Sequence, residues 1–401
     1  HLFSSAASDV YKRQENTRND PAKMKLFSYH PDLPEIRKTY AKYADAVENM
    51  DGKVGQCLAE LEKDGLAEDT IVVYCSDHGG VLARSKRFVY SSGIHCPLVV
   101  RIPEKFKHLY PADEPGAVIN RLVSFVDMPK TWLSLAGAEI PESFQGTIFL
   151  GKGTEEEPEY HLGFRERADE RVDCVRVMRD KRYAYHKNYV PYAPAGQHLA
   201  YLWKAEATPA WEQHHREGRT DEITGRFFEP RVSEEFYDNE TDFDNVDNLI
   251  DAPEHQEKIN ELKAALRQKQ LELFDSGLLP EQMRVRRAEA NGLTIYDMVR
   301  DEKLYPLASY LDAADVALAR NKTSLGTFVS AQDETDEGLR WWGIVGLHLL
   351  EGHAVLAADT LTAALEDSED EIRIMAAWTL VKLGQSCLLY TSDAADEKRW
   401  G

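Results

Sequence analysis

An acid and an imidazole stand side by side directly after a short apolar run. The stretch TIVVYCSDHGG places Asp77 and His78 between β-branched residues and two glycines. A carboxylate and an imidazole on a tight turn could together bind a divalent cation, and Gly79 and Gly80 would let the backbone approach closely. A plain turn, in which Asp77 bonds the backbone and His78 faces solvent, fits these letters equally well.

A small basic cluster follows this pair. Arg84, Lys86 and Arg87 lie close together in a chain whose formal net charge is -21. A cluster of this kind could form a pocket for an anionic group. Charge runs usually face water, however, so a solvated basic loop is the commoner outcome of such a pattern taken alone.

The elements around these residues predict how they are held. Residues 70–75 are rich in Val and Ile and bounded by turn residues, as in a strand buried in a parallel sheet. Open α/β sheets bind ligands beyond the carboxyl ends of such strands, where Asp77 and His78 would lie. Residues 34–65 carry apolar side chains at helical spacing, and residues 96–102 predict another strand. This order of elements indicates an α/β sheet protein.

The pattern of the chain changes after about residue 150. The segments YHLGFRE and CVRVMRDKRYAYHKNY predict short strands with a turn at Asp180 and Lys181, and therefore a small antiparallel sheet. Residues 196–248 are polar, aromatic and irregular, and a helix is predicted from about residue 253. After about residue 300 the pattern predicts helices throughout.

Two similar segments lie near the end of the chain. DEGLRWWGIVGLHLL and DEIRIMAAWTLVKLG share an acid pair, an arginine and an apolar face, with Arg340 and Arg373 spaced as in a helical-hairpin repeat. They resemble HEAT repeats, so residues 336–384 are predicted to form two stacked antiparallel helical hairpins. The side chains expected to face inward are Trp342, Ile344, Leu347, Ile374, Ala377 and Leu380.

The residues between the two predicted strands together resemble the sulfatase family, within the alkaline-phosphatase-like superfamily. The ordered set that carries the resemblance is Ser76-Asp77-His78-Gly79, Lys86, Tyr90, Gly93-Ile94 and Pro97. The likeness extends over nearly all of the native sequence up to about residue 300, and its Arg-rich block is similar to heparan N-sulfatases (N-sulfoglucosamine sulfohydrolases). The chain differs from the family pattern at Ser91, where an acid often follows the tyrosine, and in having IHCP for IRVP.

The resemblance implies roles for three side chains. Asp77 and His78 would be calcium ligands, with His78 where the family usually has Asn, and Lys86 would contact a sulfate oxygen and neutralise its growing charge. In the family a formylglycine hydrate attacks sulfur while the cation binds both nucleophile and sulfate. No Cys or Ser of this sequence lies in the C-x-P-x-R or S-x-P-x-R motif that yields formylglycine, and the family's paired N-terminal aspartates are absent. We expect both to lie upstream.

The two ends of the chain are expected to be non-native. SSAASDVYKRQ and CLLYTSDAADE are translations of one short DNA element read on opposite strands, as in a sequencing-library adaptor. The predicted fold is α/β, an alkaline-phosphatase-like sheet domain whose N-terminal half is missing, followed by a small antiparallel-sheet subdomain and an α-helical repeat tail. The predicted boundaries are 1–14 and 387–401 for the adaptor-derived ends, 15–150 for the sheet domain, 151–300 for the subdomain and 301–386 for the HEAT-like repeats.

The expected function is that of a fragment of a calcium-dependent, formylglycine-type sulfatase. Its substrate would be a sulfate ester or sulfamate of a sulfated carbohydrate, and the chain alone would be inactive because it lacks the nucleophile. The alternatives are a phosphodiesterase or phosphotransferase of the same superfamily and a non-catalytic protein whose repeats bind a protein partner. The negative charge disfavours nucleic acid, and no apolar run is long enough to span a membrane. The resemblance implies export to the periplasm or the outside of the cell.

Basic residues in the Arg-rich block suggest where a sulfated glycan could run. Some of them are expected to line a route for the anionic chain, while more than half are expected to pair with neighbouring acids. The eight residues are Arg165, Arg167, Arg171, Arg176, Arg179, Lys181, Arg182 and Lys187.

Overall fold

The computed structural model describes residues 16–167 and 170–385, so the ends predicted to be non-native lie outside the described residues. The chain divides into two compact units, His1–Lys263 and Ala264–Gly401. The domain boundaries expected near residues 150 and 300 stay predictions. Among the described residues, no helix combines the length and the apolar character that a bilayer crossing requires.

Three longer helices belong to the first unit, namely α1 (Pro34–Lys63), α2 (Asp127–Leu135) and α3 (Ala207–Arg216). The helix predicted over residues 34–65 is therefore confirmed. Its first residue is a proline, whose missing N–H is not needed there. Gly65 follows its end with a φ of 71°, in the left-handed region that favours glycine. Single helical turns occur at Ser91–Ile94 and Glu222–Gly225.

A two-stranded antiparallel sheet carries the candidate residues. Strands β1 (Val72–Cys75) and β2 (Leu98–Arg101) lie where the sequence predicts strands, with Cys75 opposite Leu98. The expected parallel sheet is not found, because in the part of the chain that the structure describes β1 pairs with β2 alone. A short apolar run indicates burial of a strand, but it carries no information about the direction of its neighbour.

A four-stranded antiparallel sheet forms the second layer of this unit. Its strands are β3 (His161–Arg165), β4 (Val175–Arg179), β5 (Tyr183–Asn188) and β6 (Glu234–Asp238), paired in that order. The predicted turn is confirmed, since the Asp180 carboxylate accepts hydrogen bonds from the backbone N–H groups of Arg182 and Tyr183 at 2.8 and 2.6 Å. Strand β6 lies in the stretch that was predicted to be irregular.

An aromatic core connects α1 and α3 to the loop that follows β1. Tyr29, Ile36, Leu82, Phe88 and Trp211 are among its buried members. The indole of Trp211 stacks on a neighbouring phenylalanine ring at 4.7 Å, and its N–H donates to a backbone carbonyl at 2.8 Å. Because Leu82 and Phe88 belong to this core, the segment between them is fixed at both ends.

The second unit is helical. Helix α4 (Gln256–Leu273) crosses the boundary between the units, and a single turn occurs at Ile295–Met298. No strand lies in residues 264–385, all of which the structure describes, so the helical prediction for this region is confirmed. The remaining helices are α5 (Glu281–Ala290), α6 (Leu307–Leu318), α7 (Leu325–Ala331), α8 (Glu337–Leu349), α9 (Ala358–Ala363) and α10 (Asp370–Lys382).

The inward-facing residues predicted for the last helices are mostly buried. Trp342, Ile344, Leu347 and Leu380 are at most 3% exposed, whereas Ala377 is only half-buried. The prediction for Ile374 is wrong, because its side chain is 52% exposed. Ile374 lies on the helix face opposite the buried residues of α10, which are Ile372, Met375, Ala376, Thr379 and Leu380. Assignment of this region to HEAT repeats stays a prediction.

Candidate functional site

Residues 76–97, which we call the site loop, connect β1 to β2 and contain all three predicted site residues. The loop folds back on itself through backbone hydrogen bonds. Gly79 N–H donates to Gly93 O at 2.8 Å, and Lys86 N–H donates to Gly80 O at 3.0 Å. The turn that carries Asp77 and the turn that carries Lys86 are therefore held together as one body.

Two glycines of the family motif are required by this close packing. A Cβ atom on Gly79 would lie 1.9 Å from the carbonyl oxygen of Ser92, and one on Gly93 would lie 2.0 Å from that of Phe88. Since backbone atoms are met in both cases, no side-chain movement could relieve the clash. Because Gly79 and Gly93 have no side chain, two parts of the loop can pack directly against each other.

Asp77 and His78 lie at the rim of the loop, with side chains 61% and 29% exposed. His78 Nδ1 is 2.7 Å from the carbonyl oxygen of Gly79. Because a carbonyl oxygen only accepts, Nδ1 must donate in this bond, which leaves the lone pair of a neutral ring on Nε2. Nε2 is 3.5 Å from Asp77 Oδ1, so two electron-pair donors face each other across a space that a cation could share.

The two side chains fit part of a cation site. Calcium takes six to eight oxygen ligands, and this pair offers one carboxylate and one imidazole nitrogen. Within residues 16–167 and 170–385, no group of three or more His, Cys, Asp or Glu side chains is arranged to bind a metal. Asp77 and His78 could therefore supply some ligands, but the others would have to come from elsewhere.

Lys86 and Arg87 approach the ring of Tyr201, which lies between β5 and β6 in sequence. The Lys86 Nζ atom is 5.3 Å and the Arg87 Cζ atom 4.7 Å from the ring centroid. Both side chains are half-buried. Arg87 has a φ of 77°, in the left-handed region. This backbone conformation is unfavourable for a residue other than glycine, so the surrounding structure must stabilise it. The positively charged groups of Lys86 and Arg87 therefore both lie beside the Tyr201 ring.

Arg84 has a structural role instead. Its side chain is buried between the rings of Tyr29 and Tyr90, with Cζ 4.3 and 3.8 Å from their centroids. It donates hydrogen bonds to the backbone carbonyls of Asp244 and Asn245 at 2.8 and 2.6 Å. Of the three basic residues that the sequence analysis considered, Arg84 is buried, whereas Lys86 and Arg87 are half-buried.

A buried carboxylate that the sequence analysis missed anchors the end of the loop. Glu235 on β6 accepts hydrogen bonds from the hydroxyls of Tyr90 and Tyr237 at 3.1 and 2.7 Å and from the Asn188 amide at 2.7 Å. Burial alone would raise the pKa of Glu235, but His186 and these donors hold it below its ordinary value. Burial lowers the pKa of His186 to about 4.

Four of the eight basic residues of the Arg-rich block pair with acids in the described part of the chain, so the expectation that more than half do so stays a prediction. The pairs are Arg165 with Asp173 at 3.2 Å, Arg176 with Glu166 at 2.8 Å, Lys181 with Glu157 at 3.0 Å and Arg182 with Asp238 at 2.6 Å. Arg165 and Arg176 are buried, so neither lines a surface route. Arg179 differs from them in its effect on the site loop. Burial of His95 is the main cause that lowers the pKa of this imidazole, and the positive charge of Arg179 is the second cause.

A cavity of about 440 Å³ lies beside the site loop. Residues 81–83 form one wall, and Tyr201 and Trp211 contribute aromatic surface. Tyr201 is also the ring that Lys86 and Arg87 approach. The cavity and the basic side chains thus share one aromatic residue, an arrangement that suits a ligand with an anionic group and a larger, partly apolar body.

Comparison with known proteins identifies the family. Residues 3–138 match the family model described as Sulfatase. The chain is 33% identical over 285 residues to an ulvan-active sulfatase of Formosa agariphila, which covers 69% of this chain and 46% of that relative. It is also 34% identical over 108 residues to an N-acetylglucosamine-6-O-sulfatase of Bacteroides thetaiotaomicron, covering 26% of this chain and 18% of the relative.

A solved structure described as a 2-O GAG sulfatase aligns with 66% of this chain and 57% of its own at 17% identity, with a TM-score of 0.41. The chain spans about half the length of the Formosa agariphila relative. The ordered residues of the site loop, the family model matched by residues 3–138 and the relatives agree with one another, and the chain contains a sulfatase-family domain.

Proposed function

We propose that this chain contributes Asp77, His78 and Lys86 to the active site of a calcium-dependent, formylglycine-type sulfatase. The observation that carries the proposal is the site loop, in which the bond from Lys86 N–H to Gly80 O joins the Lys86 turn to the Asp77 turn, and the bond from Gly79 N–H to Gly93 O holds the Asp77 turn to the end of the loop. A sulfate ester needs both a site for a cation and a compensating positive charge. The loop offers candidates for both within one rigid segment.

Each side chain has a role that follows from its chemistry. Asp77 would bind the cation through its exposed carboxylate, and His78 would do so through Nε2, since Nδ1 is held by the Gly79 carbonyl. Lys86 would contact a sulfate oxygen and stabilise the negative charge that builds up there. Bound calcium would supply Lewis-acid polarisation of the sulfate group.

The nucleophile is not among the residues of this chain. No C-x-P-x-R or S-x-P-x-R motif occurs in the sequence. Because the chain covers 46% of its Formosa agariphila relative, we infer that formylglycine and the remaining calcium ligands belong to the part of the enzyme that this chain does not cover. The chain by itself is then expected to be inactive and to bind calcium weakly.

The proposed substrate is a sulfated glycan, cleaved at an O-sulfate or N-sulfate. Two relatives are named for ulvan and for N-acetylglucosamine 6-O-sulfate chemistry, both carbohydrates. Tyr201 in the cavity wall offers aromatic surface for a sugar ring, and Lys86 and Arg87 approach the same ring with positive charge. The phosphotransferase and binding-protein alternatives have no comparable support, because the relatives are named as sulfatases.

The test joins this chain to the N-terminal part encoded upstream in its natural gene and measures hydrolysis of an aryl sulfate. We expect background activity from the chain alone and turnover from the joined enzyme. Lys86→Ala should then lower kcat about 100-fold or more, as removal of one charge-stabilising donor does. Asp77→Ala should abolish both activity and its dependence on added calcium.

Lys105→Ala is the matched control, because Lys105 is an exposed lysine of the same unit that pairs with Asp69. Its activity should equal that of the joined enzyme. Turnover by the chain alone would refute the assignment of the nucleophile to another segment. Full activity of the joined Asp77→Ala enzyme would refute the metal assignment.

A further inference from the structure

The last two helical hairpins of the second unit repeat each other with a spacing of 33 residues. The first hairpin consists of α7 and α8, and the second of α9 and α10. Phe328 and Leu361, 33 residues apart, are both buried, and so are Leu347 and Leu380. Burial of equivalent apolar side chains shows that the two hairpins have the same construction.

An arginine makes the same bond in each hairpin. Arg340 donates to the backbone carbonyl of Glu334 at 3.0 Å, and Arg373 donates to that of Asp367 at 2.6 Å. Arg340 also reaches the next hairpin, where its guanidinium donates to both carboxylate oxygens of Asp367 at 2.8 and 3.1 Å. Neighbouring hairpins are therefore connected by an arginine of one and an acid of the following one.

Helix α8 is packed on two sides, against α6 and against α10. Its side toward α10 carries Val345 and His348, which are 1% and 2% exposed. His348 Nδ1 is 2.9 Å from the Thr379 hydroxyl, and its ring lies 4.6 Å from that of Trp378. The second hairpin thus covers this side of the first.

The equivalent side of α10 is exposed to solvent. Trp378 and Val381 are 33 residues after Val345 and His348, and they are 39% and 49% exposed. Ile374, one turn before Trp378, is 52% exposed. Because residues 374, 378 and 381 follow one another at intervals of four and three, they form a single apolar stripe along the helix. We call it the α10 stripe.

We propose that the α10 stripe binds a further helical hairpin of the same 33-residue type. This hairpin would cover Ile374, Trp378 and Val381 as the second hairpin covers the side of α8 that carries Val345. It would also carry an acid 27 residues after Arg373, the separation between Arg340 and Asp367. The Arg373 side chain is 33% exposed, against 13% for Arg340, and its guanidinium pairs with Asp370 of the same helix, so an incoming carboxylate would share the guanidinium with that acid.

A second copy of this chain is the competing occupant. Two α10 helices brought face to face would also bury the stripes against each other, and an antiparallel pair could place Lys382 of one beside Asp370 and Glu371 of the other. A further hairpin is preferred because the second hairpin already packs on the first in this way, through α8 and α10 and through the bond from Arg340 to Asp367. A hairpin with an acid at the position equivalent to Asp367 satisfies both the apolar stripe and the arginine.

The test extends the full chain with a second copy of its own residues 351–383, inserted after Leu383. The copied Asp367 then lies 27 residues after Arg373. We expect amide hydrogen exchange across α10 to slow about tenfold, because the helix becomes internal. The unfolding midpoint of the extended chain should rise by about 5 °C.

Ile374→Glu supplies the matched control, because this exposed residue is tolerant of substitution in the unextended chain. In the extended chain the same substitution should remove both the slower exchange and the higher midpoint. An extension that leaves α10 exchange unchanged would overturn the proposal. The proposal would also be overturned if the unextended chain sediments as a dimer that Ile374→Glu converts to a monomer, because the stripe would then bind a second copy.

Discussion

The site loop and the final helical hairpins are stabilised by different interactions. The site loop and the strands that it contacts bury polar and charged groups, among them Arg84 of the loop, Glu235 and His186. The hairpins instead bury Ile344, Leu347 and other aliphatic side chains. A polar core tolerates one arrangement of donors and acceptors, whereas an apolar core requires mainly volume and pattern. The site loop therefore depends on specific polar contacts, whereas the hairpins depend on apolar packing.

The two regions also differ in how far apart their partners are in sequence. Arg84 bonds the carbonyl of Asn245, 161 residues away, and the Ser91 N–H bonds the Asn245 side chain across 154 residues. In the hairpins, the bond between Arg340 and Asp367 spans 27 residues. The contacts of the site loop thus join parts of the chain that are distant in sequence, whereas the hairpins pack on their immediate neighbours.

Arg84→Met should cause the largest loss of stability. The substitution leaves the carbonyls of Asp244 and Asn245 without their buried donor, at about 1–3 kcal/mol each, and removes the contacts with two tyrosine rings. We expect the free energy of unfolding of the first unit, from urea titration, to fall by about 4 kcal/mol. Arg216→Met, at a side chain that is 69% exposed, should cost less than about 1 kcal/mol. Equal losses in the two variants would contradict the polar-core interpretation.

Leu347→Ala probes the apolar core of the hairpins. Removing a fully buried leucine side chain from α8 should lower the unfolding free energy of the second unit by about 3 kcal/mol. Ile374→Ala, on the exposed stripe of α10, should change it by less than about 0.5 kcal/mol. If Ile374→Ala proved as costly as Leu347→Ala in the monomeric chain, the stripe would already be covered in solution.

A pair of glycine substitutions compares close packing with open helix. Gly79→Ala should cost about 1–3 kcal/mol and speed amide exchange in the site loop, because the new Cβ meets the Ser92 carbonyl. Gly52 lies in α1, where an added Cβ atom would meet no neighbouring group within 4 Å. Gly52→Ala should therefore stabilise the protein by about 0.5–1 kcal/mol. Calorimetry of both variants checks the two signs. A stabilising Gly79→Ala would show that the loop packs less tightly than described.

The local pattern of the sequence was sufficient for several elements. Apolar spacing predicted α1 between residues 34 and 65, and short β-branched runs predicted β1 and β2. The turn at Asp180 was also predicted. Its carboxylate accepts hydrogen bonds from backbone N–H groups two and three residues later, which is a local interaction. Such features depend on residues that are neighbours in the chain, so periodicity and turn chemistry reveal them.

Other features were decided by contacts that no local pattern contains. Strand β6 is short and rich in acids, and it becomes a strand because β5 offers it a hydrogen-bonding edge. Ile374 was assigned to the wrong face of the helix, because an apolar side chain on a helix can be buried or exposed to solvent, and the sequence pattern does not distinguish the two. The antiparallel pairing of β1 was missed for the same reason, since the direction of a partner strand is a property of the fold.

The site shows the same division. The sequence by itself determined which residues could carry the chemistry, because Asp77, His78 and Lys86 stand in an ordered family motif. Only the tertiary structure decided that Arg84 is buried between two tyrosines while Lys86 and Arg87 meet at Tyr201. The physical reason is that a basic side chain gains from either a buried aromatic site or an open anion site, and which of them exists depends on residues more than a hundred positions away.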